Sequence, residues 1–279
     1  MLGATKAWHH SSMKFRLATW NINSVRLRIG LVERVLKEHQ PDILCLQETK
    51  CPHGQFPSKS LHELGYTHIA EFGQKGYHGV AIVSRLPFTE QHSHNFCNKG
   101  DSRHISVKFE GKSPFTLHNF YVPAGGDVPD PAVNEKFAHK LAFLEEMETW
   151  SKSNVAAKGG EAVIVGDLNV SPLEHDVWSH KQLLKIVCHT PVETDLFAKV
   201  MTAGNWVDVM RNHVPPSEKL YTWWSYRSAD WQAANKGRRL DHVLATPGLA
   251  KRSKSLAVIK ESRGWTQTSD HVPVIVDFE

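Results

Sequence analysis

The sequence has no apolar run approaching the roughly 20 residues that a membrane-crossing helix requires. It has only four cysteines, Cys45, Cys51, Cys97 and Cys188, in no CxxC or zinc-finger spacing. A chain this long needs no covalent staples, so reduced thiols in a cytoplasmic protein are expected. Charge of one sign is also missing. Lys and Arg number 33 against 29 Asp and Glu, a net charge of +4, which suits nucleic acid but is shared by many soluble enzymes. No linker, low-complexity tract or short-period repeat divides the chain, so one domain is expected over residues 13–279. Met1 to Ser12 (MLGATKAWHHSS) contains no apolar central run and does not read as a secretory signal. It is expected to be a disordered or vector-derived extension, with Met13 as a natural start. Against these absences stand 41% hydrophobic and 22% charged residues in 279, a balance that permits a sizeable core and excludes a disordered chain.

The periodicities alternate between short apolar runs and a few helices. Phe15 to Asn21 alternates as a strand, and Leu27, Leu31, Val35 and Leu36 mark a helix stopped by Pro41. The runs Ile43–Leu46, Gly79–Ser84, Phe115–Tyr121 and Ala162–Val165 suit strands buried on both faces. Residues 125–131 form a turn-rich loop, and Phe137, Leu141, Leu144 and Met147 mark a second long helix. Tyr221–Tyr226, Leu240–Leu244, Leu256–Ile259 and His271–Val276 read as late strands. Many short strands with few helices imply an α/β protein of two packed sheets covered by helices.

Several apolar runs close on residues that apolar strands do not favour. Asn21, Glu48, Asp167 with Asn169, Asp241, and Asp270–His271 each lie directly against a buried run. Taken singly, each is a cap or turn residue. Together, if the ends meet, they place Glu48, Asp167, Asp241 and Asp270 in one pocket, where like charges require a compensating cation. Oxygen ligands point to a hard ion, Mg²⁺ or in its place Mn²⁺. Such an ion with free acids around it suits metal-assisted phosphoester hydrolysis. His92 and His94 with Cys97 are a weaker metal set, because no fourth ligand follows at zinc-finger spacing, and they read as a polar connection.

Six segments in order, Thr19–Asn23 (TWNIN), Leu46–Lys50 (LQETK), Asn119–Pro123 (NFYVP), Gly166–Asn169 (GDLN), Arg239–His242 (RLDH) and Ser269–Pro273 (SDHVP), resemble the motif set of the exonuclease III family. These are the bacterial class II abasic-site endonucleases of the endonuclease/exonuclease/phosphatase superfold, and the match runs from about Met13 to Glu279. The resemblance implies a four-layer α/β sandwich of two mixed β-sheets flanked by helices. It also implies Mg²⁺-dependent cleavage of the phosphodiester 5′ to an abasic site in duplex DNA, leaving a 3′-hydroxyl. Many relatives add 3′→5′ exonuclease and 3′-phosphatase or phosphodiesterase activity.

The same resemblance implies that Glu48 binds the metal with Asn21 and Asp270 nearby. Asp167 is the candidate to orient or deprotonate the attacking water, with Asn169 holding the water or the phosphate. Asp241 and His271 read as a dyad whose imidazole donates to a phosphoryl oxygen. Tyr121 assists the leaving oxygen, holds the phosphate, or simply packs; the division of proton work among Asp167, Tyr121 and His271 stays open. Arg26, Arg28, Arg103 and the basic run Lys236–Arg239 suit phosphate contact without base readout, and each is equally a solvated charge. The aromatic segment with Trp223, Trp224 and Trp231 suits a wedge into damaged duplex or core packing on alternate faces. Relatives carry a large apolar residue at the position of Arg238. Here Arg238 is expected to reach a phosphate while Trp223 keeps the apolar wall. Competing readings are a dedicated 3′-end-trimming exonuclease, another phosphoesterase of the superfold, or a non-catalytic DNA-binding member, which the retained acids disfavour. A monomer without membrane partners, acting on nucleoid DNA in the cytoplasm, is expected.

Overall fold

In the computed structural model the described residues are 13–153 and 159–279; the extension expected at Met1–Ser12 lies outside them. Twelve strands are present among these residues: β1 (Phe15–Asn21), β2 (Ile43–Gln47), β3 (His68–Phe72), β4 (Val80–Ser84), β5 (Thr89–His92), β6 (His104–Phe109), β7 (Phe115–Tyr121), β8 (Glu161–Asp167), β9 (Val207–Asp208), β10 (Asp241–Ala245), β11 (Ser253–Val258) and β12 (Val274–Phe278). They form two six-stranded mixed sheets, ordered β11-β12-β1-β2-β4-β3 and β5-β6-β7-β8-β10-β9.

Each sheet is built around one parallel pair, β1 with β2 and β7 with β8, and all its other neighbours are antiparallel. Parallel neighbours need a long crossover to bring the chain back. The helix Val25–His39 supplies it in the first sheet and the helix Glu135–Ser153 in the second. The first helix ends with Lys37 and His39 in its last turn and Gln40 in the left-handed conformation. Pro41 follows, which suits the stop.

Side chains alternate across each strand, so one face of each sheet meets the other sheet and the opposite face meets helices. Phe15, Leu17, Ile43, Ile82, Leu117, Val165, Val243 and Val276 pack in the seam between the sheets. Trp20, Leu44 and Leu46 pack outward with Val32, Val35 and Leu36. Phe120 and Ile164 pack outward with Phe143, Leu144 and Phe197 of the helices Glu135–Ser153 and Pro191–Ala203. Each such fully buried side chain contributes roughly 1.5–3 kcal/mol. The four-layer sandwich expected from the resemblance is the observed architecture.

Three local expectations are corrected. Tyr221–Tyr226 is not a strand: only Trp223 forms bridges, to Arg238 and His271, and the remainder follows bends and turns. Leu27 does not face the core but is 60% exposed, and the buried stripe of its helix is Val25, Val32, Val35 and Leu36. The last strand begins at Val274 rather than His271, after Pro273, which has no N–H to give a ladder.

Candidate active site

Along the inward-facing positions of the central strands, apolar residues give way to polar ones at the same end of the sandwich. In β1 Phe15 and Leu17 are followed by Thr19 and Asn21; in β2 Ile43 and Cys45 by Gln47; in β7 Phe115 and Leu117 by Asn119 and Tyr121; in β8 Val163 and Val165 by Asp167. Strand β10 runs antiparallel to β8 and therefore starts at this rim, with Asp241 paired to Asp167. The parallel registers pair Asn21 with Gln47 and Tyr121 with Asp167. Residues far apart in sequence thus arrive at one level because the strands that carry them share a direction.

Beneath the rim lies a buried amide layer that joins the two sheets. Gln47 Nε2 donates to Thr19 Oγ1 (2.9 Å) and Asn119 Oδ1 (2.7 Å), and Asn119 Nδ2 donates to the carbonyls of Leu46 (3.0 Å) and Ala81 (2.9 Å). Sequence reasoning gave Gln47 and Asn119 no role. The available signal was an amide closing the run Ile43–Leu46 and another inside Phe115–Tyr121.

Above this layer Asn21 is the connector. Its Nδ2 donates to Glu48 (2.9 Å) and to Asp167 (2.8 Å), and its Oδ1 accepts the N–H of Asn23 (3.1 Å). Ser269 Oγ donates to the Asn21 carbonyl (2.6 Å) and Trp20 Nε1 to the His271 carbonyl (2.9 Å), which anchors the Ser269–His271 segment at the end of β1. His271 Nδ1 donates to Asp241 (2.8 Å), and its Nε2 lies 3.6 Å from Asp167. Asn169, with φ of 53°, donates its N–H to Asp167 (3.1 Å) and its side-chain amide to the Val122 carbonyl (2.9 Å). Glu48 also pairs with Lys50 (3.0 Å), and Asp270 accepts from the Trp223 indole (2.8 Å).

The electrostatics follow from burial among like charges. Burial, with the neighbouring Asp241 and Glu48 charges, pushes Asp167 up to about 7 against the opposing pull of His271 and Asn21. Burial alone would depress His271, but Asp241 and Asp167 outweigh it and raise the imidazole to about 10. Glu48 is pushed up by burial, yet the Asn21 amide and Lys50 bring it below its usual value. Tyr121 is raised by burial and by the Glu48 and Asp167 charges, so it is a neutral phenol at physiological pH. Asp167, Asp241 and His271 bring their ligand atoms within 4.8 Å of one another, a group that could hold a metal ion. Asp241 Oδ1 is buried without a hydrogen-bond partner, and carboxylates this crowded favour a hard cation.

A cleft of about 830 Å³ opens over this rim, and Glu48, Asp167, Asn169, Asp270 and His271 line it together with Trp223 and Arg238. Trp223 is half-buried in its wall while Trp224 is buried against Tyr221 and Val272. The Arg238 guanidinium lies 5.1 Å over the Trp223 ring and reaches Cys188 Sγ (3.3 Å). Arg26 is exposed on the first turn of its helix. Arg28 donates to the Asn23 and Gln267 carbonyls, and Arg103 pairs with Asp101 beneath the Tyr121 ring, so both guanidinia are engaged with protein groups. Within the basic run Lys236–Arg239, Arg239 is completely buried and bonds Asp176 through two nitrogens (2.7 and 2.9 Å) and Asp208 through a third (2.7 Å). It fixes the chain two residues ahead of Asp241. His94 faces Glu146 (2.9 Å) rather than a metal set, and Cys97 gives its N–H to the same carboxylate.

Two stacked sheets with acids and an Asp–His dyad at one shared rim define a class of hydrolytic enzyme. The chain belongs to the Endonuclease/Exonuclease/phosphatase family, whose model matches residues 18–271. The exodeoxyribonuclease III of Haemophilus influenzae is 28% identical over 277 residues, covering 96% of this chain and all of that protein. Among solved structures, an AP endonuclease from Archaeoglobus fulgidus superposes with a TM-score of 0.86 at 34% identity, covering 95% of this chain and 99% of that one. A 3′ phosphatase from Neisseria bound to a product DNA hairpin superposes with a TM-score of 0.86 at 30% identity and the same coverage. The exonuclease III resemblance read from six motifs therefore holds along nearly the whole chain, and the protein is a hydrolytic nuclease of that kind. No helix among the described residues is long and apolar enough to cross a membrane.

Proposed function

We propose that this nuclease is a DNA-repair phosphodiesterase that cleaves duplex DNA 5′ to an abasic site, leaving a 3′-hydroxyl, and that it also trims blocked 3′ ends. The observation that carries the reading is the convergence of Glu48 and Asp167 on the Asn21 amide, with His271 and its buried partner Asp241 beside Asp167, under one cleft.

Glu48, whose carboxylate the Asn21 amide and Lys50 hold ionised, is with Asn21 and Asp270 the end of the site assigned to a divalent cation. Mg²⁺, or Mn²⁺ in its place, supplies neutralisation of phosphoryl charge there when bound. Asp167 takes the proton of the attacking water, a task matched by a pKa near the working pH. Asn169 orients that water, since its own backbone is fixed by Asp167 and its amide nitrogen by Val122. The His271 imidazolium, held by Asp241, donates to a phosphoryl oxygen as charge builds. Tyr121 offers a neutral hydroxyl to the phosphate or the leaving oxygen, with Arg103 keeping its ring in place.

Duplex DNA would meet the cleft through Arg26 and Arg238, with Trp223 as the apolar wall. Arg28 and Arg103 act indirectly, by bracing the loop that bears Asn23 and the end of β7 at Tyr121. The enzyme would work as a monomer on cytoplasmic DNA. A second reading, a dedicated 3′-end-trimming enzyme, is favoured by the Arg238 guanidinium stacked across the wall where an abasic sugar would enter.

One assay separates the two. The protein is incubated with a duplex bearing a single synthetic abasic site, a matched duplex and a 3′-phosphate end, each with and without Mg²⁺. Metal-dependent incision at the abasic site is expected. Release of 3′ phosphate or terminal nucleotides without incision would move the assignment to end trimming.

A further inference from the structure

Lys140, on the helix Glu135–Ser153, and Glu193, on the helix Pro191–Ala203, form an ion pair in which both side chains are completely buried. A pair so deep is costly to desolvate and stands only if its remaining hydrogen-bonding capacity is met. It is met by loops that converge on the cleft. The Lys140 ammonium donates to the carbonyls of Asn169 (2.6 Å) and Ala124 (3.4 Å) as well as to Glu193, so its three donors have three acceptors. The Glu193 carboxylate accepts the N–H of Cys188 (2.9 Å to each oxygen), the N–H of Thr190 (3.2 Å) and the Thr190 hydroxyl (2.6 Å).

Two of the residues held this way have left-handed backbones, Asn169 with φ of 53° and Cys188 with φ of 91°. Asparagine tolerates that region, whereas Cys188 has no such tolerance and stays there only because its surroundings hold it. Asn169 stands in the active site, and Cys188 forms the wall that Arg238 touches. Gly125 shows how tightly the third loop closes over the pair, because a Cβ there would lie 2.8 Å from Lys140 Cδ and 3.0 Å from Val187 Cγ1.

We propose that Lys140 and Glu193 are positioning residues: their buried pair is a latch that holds Asn169 in its water-orienting conformation and sets the Cys188 wall of the cleft. The inference deepens the proposed function and rests on it for the role of Asn169.

The double variant Lys140→Met/Glu193→Gln removes both charges and leaves neither orphaned. In its crystal structure Asn169 is expected to leave the left-handed region and release the Val122 carbonyl. Its kcat for abasic-site incision is expected to fall about 10- to 100-fold, with KM changed by no more than about 3-fold. Either a wild-type kcat or an unmoved Asn169 overturns the latch. If the double variant does not fold, Thr190→Val serves instead, since it keeps both charges and removes the one hydroxyl that reaches the Glu193 carboxylate and caps its helix. A loss in kcat of about 2- to 5-fold is then expected, and an unchanged kcat refutes the proposal. A wild-type protein that processed neither abasic duplex nor 3′-phosphate ends would refute the function instead, because the Asn169 backbone is read independently of activity.

Discussion

Replacing Asp167 by asparagine keeps the size of the side chain and removes the group assigned to take the water's proton. The structure sets the scale of the effect. One Asp167 oxygen accepts from Asn21 (2.8 Å) and lies 3.6 Å from His271 Nε2, and the other accepts the Asn169 N–H (3.1 Å). Both oxygens therefore face donors, so the amide of the variant must turn its NH₂ toward one of them, at a cost of about 1–3 kcal/mol for the unmet group. Loss of the base itself removes about 10²- to 10⁴-fold of rate, or about 2.7–5.4 kcal/mol of barrier. A fall of about 10²- to 10⁴-fold in the single-turnover rate is therefore expected, with the unmet group lowering stability and not the rate. Binding of the abasic duplex, followed by fluorescence anisotropy without metal, should persist or tighten, because a negative charge leaves the phosphate site. The pH profile supplies a second sign. A base must be ionised to act, so the wild-type rate should rise with pH until Asp167 titrates, at about 7, and then level off. The variant should lack that limb. An Asp167→Asn protein that kept more than about a tenth of the wild-type rate would refute the assignment, since general-base removal cannot be that mild.

Glu48→Ala should raise the Mg²⁺ concentration for half-maximal incision by at least about 10-fold, read from a metal titration of the rate, because the carboxylate proposed to hold the metal is gone. Arg238→Ala should weaken abasic-duplex binding and reduce the slope of log K against log salt by about 1 if its guanidinium meets a phosphate; unchanged binding and incision would remove that role. Asn119→Ala should lower stability by about 3 kcal/mol, since Gln47 and the Leu46 and Ala81 carbonyls lose buried partners. Thermal melting should then show a midpoint lower by roughly 6–12 °C.

The readable parts of the chain were those where local pattern and final environment agree. The runs that became β2 and β8 are apolar on both faces because they end up covered on both faces, and Glu48 just after one and Asp167 at the end of the other stood out against that background. The late aromatic segment misled because Trp223 and Trp224 have the composition of a strand, while Trp223 forms only isolated bridges to Arg238 and His271. Strand β6 was missed because His104, Ser106 and Lys108 dilute its apolar signal. Arg239 reads as part of a basic run for phosphate contact or solvent, since nothing nearby in sequence announces Asp176 and Asp208 as its partners. Lys140 and Glu193 were silent for the same reason: each sits in an ordinary amphipathic helix, and only the tertiary fold removes both from water.

The rim described above belongs to the ends of the strands that make the hydrophobic seam, not to a surface appendage. Asn21, Gln47, Asn119, Asp167 and Asp241 continue the same inward-facing rows as Leu17, Cys45, Leu117, Val165 and Val243. Freeing any one of them would mean opening a central strand, the step that in a cooperative domain demands nearly the whole free energy of unfolding. The acids are thus kept crowded by the cohesion of the entire sandwich and not by contacts at the rim alone.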